Sequence, residues 1–114
     1  MEDDLTLRDL GHFYGTEQYH KCYLNALATD GVAYIMKNGY TLLVTDALSV
    51  IKTKLKDEAF ISIKLKLLEN NKAKMIITDG NGKKLYTQEY DSTDAKKELS
   101  LYFIDNVMLL SSEY

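Results

Sequence analysis

From residue 58 onward the chain repeats with a period of two. Ile61, Ile63, Leu65 and Leu67 alternate with Ser62, Lys64, Lys66 and Leu68. This is the pattern of a strand with one face on a core and the other in water. Glu69-Asn70-Asn71 suits a three-residue hairpin loop in which Asn71 takes a positive φ. That register sets Ala73, Met75 and Ile77 opposite Leu67, Leu65 and Ile63, and gathers Lys64, Lys66, Lys72 and Lys74 on the other face. A slip of one residue would scramble both sets. Asp79-Gly80-Asn81-Gly82 predicts a second hairpin turn, followed by a strand over 83–90. Asp91-Ser92-Thr93-Asp94 reads as a loop or helix cap. Residues 98–104 and 106–110 then read as two final strands that turn near Asp105-Asn106.

The first half follows a longer period. Thr6-Leu7-Arg8-Asp9 has the form of a helix start, with Leu7, Leu10 and Phe13 or Tyr14 on one face and Gly15 at the end. Between Thr16 and Leu27 the pattern fits strand or helix: Tyr19, Lys21 and Tyr23 alternate with His20, Cys22 and Leu24. Thr29-Asp30-Gly31 opens another helix, in which Val32, Ile35 and Met36 share a side and Asn38-Gly39 provides the stop. Over 40–56, Leu43, Ala47, Val50 and Ile51 form a helical stripe, entered through a short extended stretch. Lys52, Lys54 and Lys56 fall at its end, where the helix dipole favours cations. The expected fold is α+β: N-terminal short helices packed on a C-terminal antiparallel sheet of about four to five strands. No linker or repeat interrupts residues 1–114, so one domain is expected.

Composition narrows the class. The single cysteine, Cys22, excludes an internal disulfide and fits a reducing compartment. No apolar run is long enough for a membrane-spanning helix, and the acidic start Met1-Glu2-Asp3-Asp4 does not read as a signal peptide. A cytoplasmic protein without membrane contact is expected. Tryptophan and proline are absent and tyrosine occurs nine times, a bias that strand residency and interfaces both favour. The net charge of −3 conceals an asymmetry. Residues 52–74 hold seven lysines against three acids, whereas 1–31 hold six acids against two bases. A basic face and an acidic face are therefore expected.

The candidate chemistry is thin. Nucleophilic catalysis needs Cys22 or a serine beside a base, yet His12 and His20 are the only histidines and there is no Gly-x-Ser-x-Gly turn. His20 and Cys22, two apart on a strand, point the same way and would bind a metal only if His12 joined them. Asp79-Gly80-Asn81-Gly82-Lys83 resembles the start of a calcium loop but places Lys83 where an oxygen ligand is needed. No phosphate loop occurs. The expectation is a protein that is not an enzyme and has no catalytic, cofactor-binding or metal-binding residues. The lysine-rich face is the feature with functional content, and the candidate partner-binding residues are Lys64, Lys66, Lys74, Tyr86 and Tyr90. Direct nucleic-acid binding is not expected, because Arg8 is the only arginine and the isoelectric point is about 5.3.

Four segments carry a resemblance: Gly15-Thr16-Glu17-Gln18-Tyr19, Thr29-Asp30-Gly31-Val32, Leu42-Leu43-Val44-Thr45-Asp46-Ala47 and Val107-Met108-Leu109-Leu110-Ser111-Ser112-Glu113-Tyr114. Together they resemble an uncharacterised family of small bacterial and phage proteins. The resemblance implies a small cytosolic protein, often carried by mobile elements, and no known activity. The expected function is a protein-binding module in the manner of a phage-encoded inhibitor of a host defence system, such as an anti-CRISPR. Its partner would be a host protein or nucleoprotein complex, with a homodimer possible through an open edge on the last strand. The alternative is a module that sequesters a small molecule or nucleotide on the lysine-rich sheet face.

Overall fold

The alternating segments form strands on the residues that carry the alternation. In the computed structural model, which describes residues 19–93 and 95–114, two short strands come first, β1 (His20–Lys21) and β2 (Leu27–Ala28). The long ones follow: β3 (Phe60–Leu67), β4 (Ala73–Asp79), β5 (Lys84–Tyr90), β6 (Leu99–Ile104) and β7 (Val107–Leu110). They make one seven-stranded sheet in the order β1-β2-β7-β6-β3-β4-β5. All neighbours are antiparallel except β2 and β7, which run parallel. The β3–β4 register is the expected one, with Ile63, Leu65 and Leu67 opposite Ile77, Met75 and Ala73. Asn70 and Asn71 both take φ of 60° in the loop between them, a conformation that asparagine tolerates better than most residues. At the β6–β7 turn Asp105 (φ 52°) and Asn106 (φ 66°) do the same.

Two helices cover one face of this sheet. Thr29 caps α1 (Asp30–Ile35) by accepting the Val32 N–H at 3.3 Å. Gly39, at φ 101°, sits in the wide turn Met36–Tyr40 that leads directly into α2 (Thr41–Lys54). No extended stretch precedes α2. Thr41 Oγ1 donates to the Met36 carbonyl at 2.6 Å and Asn38 Nδ2 to the Tyr34 carbonyl at 2.8 Å, so side chains satisfy groups that the turn releases from the helix. The core lies between these helices and the sheet. Val44, Ala47, Leu48 and Ile51 of α2 meet Ile61, Ile63, Met75, Ile77 and Leu101, all of them buried.

The structure corrects three expectations. The described helices are mid-chain rather than N-terminal, and the predicted helix over Thr6–Gly15 lies outside the described residues. The sheet is larger and mixed because β1 and β2, at two residues each, are too short to show a period. They exist through pairing with each other and with β7. The ambiguous segment over 16–27 is, in its described part from Tyr19, β1, a single tight turn over Tyr23–Asn25, and the start of β2. The last strand is not an edge: β7 lies between β2 and β6, and among the described strands the sheet ends at β1 and β5.

A buried clasp closes the fold. Glu113, 9% exposed, accepts on Oε1 from Thr29 Oγ1 at 2.6 Å and from the Leu110 N–H at 2.8 Å, and on Oε2 from the Gly31 N–H at 3.2 Å. A buried carboxylate requires such donors. A Cβ on Gly31 would lie 2.6 Å from Leu110 Cδ1 and 2.8 Å from Glu113 Oε1, so only glycine admits the approach.

Candidate interaction face

The two helices lie on one side of the sheet, and among the described residues no helix covers the other. Because side chains alternate, this open side receives the positions between the core residues. On β3 these are Phe60, Ser62, Lys64 and Lys66, and on β6 they are Ser100, Tyr102 and Ile104, interleaved with buried Ile61, Ile63, Leu65, Leu99, Leu101 and Phe103.

One part of the open side is aromatic. The rings of Phe60, Tyr102 and Tyr114 contact one another, with centroids 5.1 Å (Phe60–Tyr102), 6.0 Å (Phe60–Tyr114) and 5.3 Å (Tyr102–Tyr114) apart. The last two meet edge to face, an arrangement that the ring quadrupole favours. Tyr114 is nonetheless 77% exposed. The apolar surface continues through Ile104, Val107 and Leu109, which line a depression of about 420 Å³ with Tyr19.

The other part is basic. Lys64 lies opposite Ser100 on one side and Ile76 on the other, and Lys66 lies directly opposite Lys74. Like charges in directly opposed positions repel. Two acids border the set: Glu89 lies opposite Lys74 across β4–β5, and Glu98, whose Oε2 accepts the Leu67 N–H at 2.9 Å, lines a depression with Lys64 and Lys66. His20 Nε2 and Asp30 Oδ1 meet at 2.8 Å, whereas no acid of the described residues lies within ion-pair distance of the ammonium groups of Lys64, Lys66 and Lys74.

The three candidate lysines are therefore together, but Tyr86 and Tyr90 are not with them. Both lie on the helix side, opposite Ile77 and Ala73. Tyr90 donates to Asp46 Oδ2 at 2.9 Å, Gln88 Nε2 donates to the same oxygen at 3.3 Å, and Lys54 Nζ stands 5.7 Å from the Tyr86 ring centroid. Burial, reinforced by the Asp46 carboxylate, pushes the Tyr90 phenol far above its ordinary value. The cause is a bulge: Thr78 pairs with Lys84, yet Ile77 pairs with Tyr86. Continued without the extra residue, the register would set Tyr86 opposite Ile76, on the lysine side.

Phe60, Tyr102 and Tyr114 were not among the predicted site residues. Strand alternation carries a signal for Tyr102, which sits between inward Leu101 and Phe103. Nothing in the sequence brings Tyr114 to it.

The remaining reactive side chains are dispersed. His20 is held by Asp30, and Cys22 Sγ lies 3.8 Å from Met36 Sδ. Among the described residues no three His, Cys, Asp or Glu side chains converge as metal ligands, and His12 lies outside those residues. No described helix is long and apolar enough to cross a membrane.

Residues 4–114 match DUF6876, a family of unknown function. The chain belongs to that family. No curated protein and no solved structure matches it. Two segments that carried the resemblance meet in space: Thr29 and Gly31 are the partners of Glu113. A third supplies Asp46, which anchors Tyr90. In this DUF6876 chain these motif residues therefore hold the fold together, while Tyr114 of the last segment belongs to the ring cluster of the open side.

Proposed function

We propose that this chain is a non-enzymatic binding module that docks the open face of its sheet on an acidic protein surface. The observation that carries the reading is the packed triad Phe60–Tyr102–Tyr114 beside the unpaired Lys64, Lys66 and Lys74, on one side of a rigid sheet. Aromatic rings that are already ordered lose little freedom on binding and act as anchors. The lysines steer and orient an acidic partner.

The size of the face favours a macromolecule. Phe60 and Lys66 are six residues apart on one strand, roughly 20 Å at about 3.3 Å per residue, longer than a mononucleotide. A nucleotide would engage only part of it, for instance a base on Tyr102 with a phosphate at Lys64. The setting we propose is a host protein or nucleoprotein complex in the host cytoplasm, with the chain as a phage-encoded inhibitor of the anti-CRISPR kind. Its support is the analogy with other small proteins that lack catalytic motifs.

Affinity capture from a bacterial host lysate compares the wild-type chain with two variants. One is Lys64→Glu/Lys66→Glu/Lys74→Glu and the other is Tyr102→Ala/Tyr114→Ala. The expected result is one stoichiometric protein with the wild type and its loss with both variants. A protein retained by both overturns the reading. If nucleotides raise the melting temperature of the wild type and not of the lysine variant, the sequestering alternative replaces it.

A further inference from the structure

The two edges of the sheet differ. At one end β1 is two residues long, too short to template another strand. At the other, β5 is seven residues long and only β4 pairs with it among the described strands. Alternate residues of β5 therefore turn their N–H and C=O groups outward, away from β4. The bulge distorts one end only, since Tyr86–Tyr90 is in regular register with Ile77–Ala73. Gln88 and Tyr90 are pinned to α2 through Asp46, so the strand is held before any partner arrives.

The charges along this edge are self-complementary. The strand is preceded and opened by Lys83 and Lys84, and it closes with Glu89 and then Asp91, all four exposed. An antiparallel neighbour of the same sequence sets the basic end of each copy against the acidic end of the other. A parallel neighbour sets lysine beside lysine and acid beside acid.

We infer that β5 pairs antiparallel with β5 of a second copy about a two-fold axis near Thr87, which joins the two sheets into one. Lys83 and Lys84 of each copy then lie alongside Asp91 and Glu89 of the other. An axis perpendicular to the sheet leaves both sets of helices on one side and both open faces on the other. The pairing does not depend on what the open face binds. If that face binds a partner as proposed, the dimer presents two copies of it in one plane and engages a repeated partner bivalently.

Sedimentation velocity on the full chain, from micromolar to millimolar concentration, tests this. The expected result is a concentration-dependent doubling of the 13.0 kDa mass. Glu89→Lys/Asp91→Lys weakens association by about tenfold or more. Adding Lys83→Glu/Lys84→Glu to that variant restores it, a gain that misfolding does not produce. Tyr102→Ala leaves the association unchanged, which separates this inference from the role of the open face. A chain that stays monomeric at millimolar concentration overturns the inference. So does a dimer indifferent to the reversal, or one that the compensating exchange does not restore.

Discussion

The same strands face two environments, and their two sides have different compositions. On β3, Ile61, Ile63 and Leu65 are sealed beneath α2, while Phe60, Ser62, Lys64 and Lys66 on the same backbone look away from it. On β3 the covered side is entirely aliphatic and satisfied by close packing. The open side is divided into a packed aromatic cluster and a set of lysines, two of them directly opposed, with Glu89 and Glu98 at their margin. Stability alone explains the first side. It does not explain why a side that no described helix covers keeps three large rings together and sets Lys66 against Lys74. The difference separates the side that the fold requires from the side that we propose meets a partner.

Substitutions sharpen that contrast. The largest effect is expected on the covered side: Ile63→Ala removes a fully buried side chain and costs about 2–5 kcal/mol in chemical denaturation. Its neighbour Lys64→Ala stays within about 0.5 kcal/mol of wild type. If the two cost the same, the two sides are not distinct.

The clasp comes next. Glu113→Ala strands the Gly31 and Leu110 N–H groups and is expected to cost roughly 1–3 kcal/mol. Gly31→Ala, which collides with Leu110 and Glu113, falls in the range of about 1–3 kcal/mol for overpacking. Thermal melts of the two single variants and the double variant check both, and coupling is expected because the sites touch. On the open side, Tyr114→Ala is expected to change stability by less than about 0.5 kcal/mol while it abolishes partner capture. A large stability loss there would mean that the rings serve the fold.

The smallest effect is a slope with pH. The Tyr90 phenol is raised in the folded state by burial first and by the Asp46 carboxylate second. Its contribution is therefore fully present below the unfolded value near 10 and declines above it, as the unfolded chain loses the proton first. Melting temperature should fall as pH rises past about 10, and Tyr90→Phe should flatten part of that fall.

Much of this arrangement was legible in the residue order. The period of two in 60–77 placed the inward aliphatics and the outward lysines with the correct cross-strand partners, because a hairpin loop of known length leaves one register that buries one face. The two-sidedness that marks the candidate face was present in that alternation. The positions of Tyr86 and Tyr90 were not, because one bulged residue in β5 reverses the side on which they emerge. A bulge depends on how β5 seats against β4, and local composition does not announce it.

Local pattern determined the hairpins, the capped start of α1 at Thr29, the stripe of α2 and the gathering of lysines on one side, since each depends on neighbours within a few residues. Tertiary structure alone decided the parallel pairing of β2 with β7 and the meeting of Thr29, Gly31 and Glu113. It also decided the ring triad formed from β3, β6 and Tyr114, and the place of β5 at the end of the described sheet. These contacts join residues up to 84 positions apart. Their geometry follows from how the whole sheet closes, a property that no short window of sequence contains.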